Sequence, residues 1–125
     1  MKQQLLVVDD SEMMRSFLAH YFGKHYLVHT VGHASQAWQW LDDGHFPSVI
    51  LLDLRLPQIS GYELLCQLKS SVLFNEIPVI MLSSVNKSQE RVRCLQAGAA
   101  DYVLKPFNPK ELELRLQYHA RLQNA

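Results

Sequence analysis

Short apolar runs alternate with amphipathic segments along the whole chain. The runs are Leu5–Val8, Tyr26–Thr30, Val49–Leu52, Val79–Leu82 and Tyr102–Leu104. The first, third and fourth are apolar on both faces, the pattern of central strands buried on both sides of a parallel sheet. Between the runs, helices are predicted near residues 11–23, 34–43, 61–70, 87–97 and 109–122. Ser11 suits the cap of the first helix, and Gly44 with Pro47 marks the stop of the second. Asn108 followed by Pro109 is a cap-plus-first-turn pair for the last. Five strand–helix units predict one α/β domain spanning residues 1–125, a doubly wound parallel sheet with helices on both faces.

In such sheets ligands bind beyond the carboxyl ends of the strands. Asp9 and Asp10 follow the first run, Asp53 the third, Ser83 and Ser84 the fourth, and Lys105 the fifth. These polar residues are therefore expected to converge on one crevice. Two adjacent carboxylates repel by about 4 kcal/mol at roughly 4 Å and an effective dielectric near 20. With Asp53 the group holds three carboxylates against one ammonium, so it lacks a cation. Oxygen donors alone suit a hard divalent ion, Mg²⁺ or Mn²⁺, rather than zinc. Such an ion leaves positions for a phosphoryl group, which Lys105 and the Ser83 hydroxyl could also contact. Asp53, ending the central strand, is then the candidate nucleophile for phosphoryl transfer. Each residue alone has a plainer reading, as cap, turn or surface lysine. Their joint placement at four strand ends favours the chemical one.

Composition narrows the choice. Twelve Lys and Arg balance twelve Asp and Glu, so no basic field points to nucleic acid or an anionic membrane within this chain. The opening MKQQLLVV is too short for a signal sequence, and no stretch approaches a membrane span. With no CxxC, Cys66 and Cys94 read as free thiols of a reducing compartment, and a cytoplasmic location is expected. The six histidines read as scattered surface residues. Trp38 is assigned to the core face of the second helix with Ala34, Ala37 and Leu41. Trp40 falls off that face, and Met13 and Met14 are assigned to helix packing.

With these residues in place, the chain resembles the receiver domain of two-component response regulators over its full length. The motifs are VVDD at 7–10, DLRLPQISG at 53–61, IPVIMLSS at 77–84 and AGAADYVLKPF at 97–107. The resemblance implies a flavodoxin-like (βα)5 fold with strand order 2-1-3-4-5. It makes Asp53 the phosphoacceptor, with Mg²⁺ held by Asp10, Asp53 and the Arg55 backbone carbonyl, and by Asp9 largely through water. Lys105 would contact the phosphoryl group, and the Lys105–Pro106 bond is expected to be cis. Gly61 fits the loop opening the third helix. Ser83 and Tyr102 take the positions of the switch hydroxyl and the switch aromatic that turns inward.

The family resemblance also implies a phosphohistidine donor, on a sensor histidine kinase or a histidine phosphotransfer protein. The chain is then a signalling switch that catalyses its own phosphorylation, not a multiple-turnover enzyme. Arg55 and Val85, at the two positions that set phosphoryl lifetime, do not orient an attacking water, so slow self-dephosphorylation is expected. Arg91, Val92, Leu95, Asp101, Glu111 and Arg115 match the family's helix 4/strand 5/helix 5 dimer surface. Gln96, Ala100 and Glu113 depart from it. In the last helix Leu112, Leu116 and Ala120 form a core stripe, while Leu114, Tyr118 and Leu122 form a second stripe that either meets a partner, a second copy or a downstream domain or is partly covered by neighbouring loops.

Three other functions fit the residues less well. A haloacid-dehalogenase-like phosphatase needs DxD after the first strand, where adjacent Asp residues stand. A flavodoxin-like electron carrier needs a Ser/Thr/Gly-rich phosphate loop in place of DDSEMM. A phosphorylation-independent interaction module is the remaining alternative, against which all the acidic positions and the lysine are retained.

Overall fold

The computed structural model describes residues 2–124, with side chains to residue 121. Strands and helices alternate strictly. They are β1 (Gln3–Val8), α1 (Glu12–Phe22), β2 (Tyr26–Val31), α2 (Ala34–Asp42), β3 (Val49–Asp53), α3 (Gly61–Lys69), β4 (Val79–Ser83), α4 (Ser88–Gln96), β5 (Asp101–Leu104) and α5 (Pro109–Asn124). All strand pairs are parallel, in the order β2-β1-β3-β4-β5. The three runs that are apolar on both faces are the three interior strands, as their pattern predicts.

Period-two alternation sorts strand side chains between two cores. Leu6, Val8, Ile50, Leu52, Val79 and Met81 face α2, α3 and α4, packing on Ala37, Leu41, Leu64, Leu65, Leu68 and Cys94. Leu5, Val7, Leu51, Ile80, Leu82 and Val103 face the other way, onto Leu18 and Phe22 of α1 and Leu112 and Leu116 of α5. Helix ends follow the local chemistry. The Ser11 hydroxyl accepts from the Met14 N–H at 3.2 Å, and the Ser60 hydroxyl from the Glu63 N–H at 3.1 Å. The Asn108 side chain accepts from the Lys110 and Glu111 N–H groups. Gly44, at φ 106°, lets the chain leave α2 through the left-handed region.

Several single-residue expectations change. Met13 is 82% exposed, and only Met14 packs on the core. Trp38 is half-buried at the core margin, its indole N–H donating to Gln67 Oε1 at 2.7 Å. Trp40 is half-buried too, stacked between His29 and His45 at centroid separations of 4.7 and 4.2 Å. Two of the six histidines are therefore structural partners of a tryptophan. Their rings meet only because β2 and the loop after α2 fold together. Glu113 turns toward α1, whose Tyr21 Oη donates to it, and it also accepts from Lys110 Nζ on its own helix. Leu112, Leu116 and Ala120 are buried and Leu114 and Tyr118 exposed, as the two stripes predict. The Leu122 side chain lies outside the described residues.

Candidate functional site

Asp9 and Asp10 directly follow β1, while Asp53 and Ser83 are the final residues of β3 and β4. Lys105 follows β5. Parallel pairing brings these ends to one edge of the sheet, and one ligand atom each from Asp9, Asp10 and Asp53 lies within 4.8 Å of the others. The all-oxygen set fits a hard divalent cation.

Asp9 is fully buried and fully engaged. Its Oδ1 accepts from the Ser11 N–H at 2.9 Å, and its Oδ2 pairs with Lys105 Nζ at 2.8 Å. The same ammonium lies 3.5 Å from Asp53 Oδ2. Asp53 Oδ1 accepts from the Arg55 N–H at 3.2 Å, which fixes the carboxylate plane. Burial and then the charge of Asp9 push the Asp53 carboxyl up to about 6, against Lys105 and the Arg55 N–H. The pocket thus holds the Asp53 carboxylate under a strong demand for positive charge. Asp10 is exposed, and among the described residues nothing donates a hydrogen bond to its carboxylate.

The Lys105–Pro106 peptide is cis, as expected. Gly61 closes the loop after β3, its N–H donating to the Leu54 carbonyl at 2.8 Å. A Cβ at Gly61 would land on the Asp53 carbonyl oxygen, so only glycine fits there.

Ser83 and Tyr102 meet at Val85. The buried Ser83 hydroxyl accepts from the Val85 N–H at 2.9 Å, and Tyr102 Oη donates to the Val85 carbonyl at 2.8 Å. The Tyr102 ring is already buried in this conformation, and its phenol is pushed up by that burial.

Two neighbouring features were not legible in the sequence. Arg15 Nη1 donates to the Asp9 carbonyl at 2.8 Å, reaching the acidic edge from α1. Beside the pocket, Met13, Phe17, Pro106, Phe107 and Pro109 line an apolar groove with Ser11 at its edge. Elsewhere Arg115 pairs with Asp101 at 2.9 Å and with Glu111 at 3.5 Å, and Val92, Leu95, Leu114 and Tyr118 are exposed. Cys66 and Cys94 are free, and no helix among the described residues is long and apolar enough to cross a membrane.

This arrangement defines a parallel α/β domain with an acidic pocket and a lysine at the strand ends. The response regulator receiver domain model matches residues 5–117, and the chain belongs to that family. It is 33% identical over 116 residues to chemotaxis protein CheY1 of Helicobacter pylori, covering 91% of this chain and 94% of that one. It is 33% identical over 124 residues to the probable transcriptional regulator ycf27 of Guillardia theta, covering 98% of this chain and 47% of that one. The chain thus spans nearly all of one relative and about half of the other. Among solved structures, the receiver domain of sensor histidine kinase PA1611 from Pseudomonas aeruginosa PAO1 superposes with a TM-score of 0.86 at 29% identity. That match covers 97% of this chain and 99% of that one, and that structure has a magnesium ion coordinated in its active-site cleft. The chain is a receiver domain of the two-component response regulator family, a signalling module.

Proposed function

We propose that this chain, acting as one domain, is a phosphorylation-activated switch with Asp53 as its acceptor. One observation carries the reading: three carboxylates gather within 4.8 Å while one ammonium bridges Asp9 and Asp53. Asp10, Asp53 and the Arg55 backbone carbonyl would hold Mg²⁺ or Mn²⁺, with Asp9 acting largely through water. When bound, the ion neutralises carboxylates and phosphoryl oxygens so that anion can approach anion.

The chain's own groups do the rest. An Asp53 oxygen attacks the phosphorus of a phosphohistidine, on a sensor histidine kinase or a histidine phosphotransfer protein. A P–O bond forms as the P–N bond breaks, leaving an acyl phosphate on Asp53 and returning the electron pair to the donor imidazole. Lys105 pairs with a phosphoryl oxygen. Catalysis is positioning and charge neutralisation.

Ser83 then turns to donate to another phosphoryl oxygen, and that movement breaks the bond it accepts from the Val85 N–H. Val85 is held from both sides by Ser83 and Tyr102, so losing one contact biases the loop before α4 toward a second packing. The output face is the surface of α4, β5 and α5, with Arg91, Leu95, Leu114, Arg115 and Tyr118 meeting a second copy or a downstream domain. The groove around Met13 and Phe107 is an apolar surface beside the acceptor, suited to the phosphodonor protein. The domain works in the cytoplasm.

Incubation with a small acyl-phosphate donor and Mg²⁺ should give a single phosphoryl adduct by mass spectrometry. Chelating the metal or substituting Asp53→Asn should abolish it. Once the donor is removed, the adduct should outlast minutes at neutral pH, because neither Arg55 nor Val85 orients water. An adduct equally strong in Asp53→Asn would defeat the reading, and partner binding unaffected by phosphorylation would favour the phosphorylation-independent module.

A further inference from the structure

Asp10 is the exposed member of the acidic triad, and among the described residues no donor steers its carboxylate. Its aim depends on the peptide that joins it to Asp9. Three contacts fix that peptide and its approach. The Asp9 N–H donates to the Val31 carbonyl at 3.1 Å, the Ser11 N–H donates to Asp9 Oδ1 at 2.9 Å, and Arg15 Nη1 donates to the Asp9 carbonyl at 2.8 Å. The first two hold Asp9 itself. Only the third grips the carbonyl of the peptide leading into Asp10.

The path of Arg15 is built. From the second turn of α1 the guanidinium crosses Gly32, where an added Cβ would stand 3.2 Å from Nη1. The Gly32 N–H donates to Gln36 Oε1 at 2.9 Å, which holds that loop against the arginine. Gly32 does not adopt the left-handed backbone conformation, and a side chain there would require the Arg15 guanidinium to give by a few tenths of an ångström. A half-buried arginine that spends a charged donor on a main-chain carbonyl makes a strong, directional bond.

We propose that Arg15 is a positioning residue for the divalent-cation site. It clamps the Asp9–Asp10 peptide so that the Asp10 carboxylate faces Asp53. This rests on the reading of the acidic pocket as a cation site. Groups that orient metal ligands typically change metal affinity about 10–100-fold when removed, and one acting through a backbone peptide belongs at the low end, about tenfold.

The test is Mn²⁺ titration of the intact chain, with free ion followed by electron paramagnetic resonance and Mg²⁺ as competitor. Arg15→Met should raise the Mn²⁺ dissociation constant about tenfold. Arg15→Lys, which keeps one charged donor, should recover part of the loss. Gly32→Ala should weaken binding in the same direction by crowding the guanidinium. Thermal melts of the metal-free variants keep folding separate, because a purely structural role lowers Tm and leaves affinity at low temperature unchanged. Wild-type affinity in a folded Arg15→Met protein overturns the inference and leaves the cation site standing. A wild-type chain that binds no Mn²⁺ overturns both.

Discussion

Gly61 and Asp53 meet at a backbone contact that a sequence reader can anticipate only as a glycine at a fixed spacing. In the fold the reason is steric, since any Cβ at 61 falls on the carbonyl oxygen of Asp53. Gly61→Ala should therefore destabilise the domain by about 3 kcal/mol in urea unfolding, the upper end of what overpacking usually costs. It should also slow adduct formation, because the forced shift moves Asp53. An alanine variant with unchanged stability would mean that the loop yields more easily than its contacts indicate. The acidic residues and Lys105 were legible because each interrupts or ends an apolar run. Arg15 was not, because its partner is a main-chain carbonyl and nothing in a helix sequence shows where a long side chain will reach.

At the scale of elements, α5 is tied to the edge strand β5 through Asp101. Burial works to raise the Asp101 carboxyl, but hydrogen bonds from Arg115, the Tyr102 N–H and His119 outweigh it and hold it below its usual range. A carboxyl depressed in the folded state stabilises above its unfolded value of 3.8 and loses that contribution as pH falls through the lower folded value. Asp101→Asn should cost about 1 kcal/mol at neutral pH, a modest figure because Arg115 is partly solvated. The gap between variant and wild type in urea unfolding should close as pH falls below the unfolded value. A gap that widened in acid would contradict the assigned network. Element type and order were legible because the interior strands are apolar on both faces and the helix starts carry Ser11 and Asn108. Their pairings were less so. The Trp40 stack needs His29 from β2 and His45 from the loop after α2, which no local pattern brings together. The direction of Glu113 was fixed by Tyr21, far away in sequence.

Across the whole molecule, one arrangement links fold and chemistry. Parallel strands deliver their carboxyl ends to a single edge, and the chain places Asp9, Asp10, Asp53, Ser83 and Lys105 there. Two apolar cores, one on each face of the sheet, hold that edge rigid. The Val85 peptide lies between Ser83 and Tyr102, so a change at the pocket has a short route to α4. The measurement that tests this account most directly is the location of the phosphoryl bond. After reaction with an acyl-phosphate donor and Mg²⁺, borohydride reduction converts an aspartyl phosphate to homoserine, which peptide mapping places in the sequence. The account predicts homoserine at position 53 alone. Homoserine at Asp9 or Asp10, or a modified histidine with position 53 intact, would contradict it.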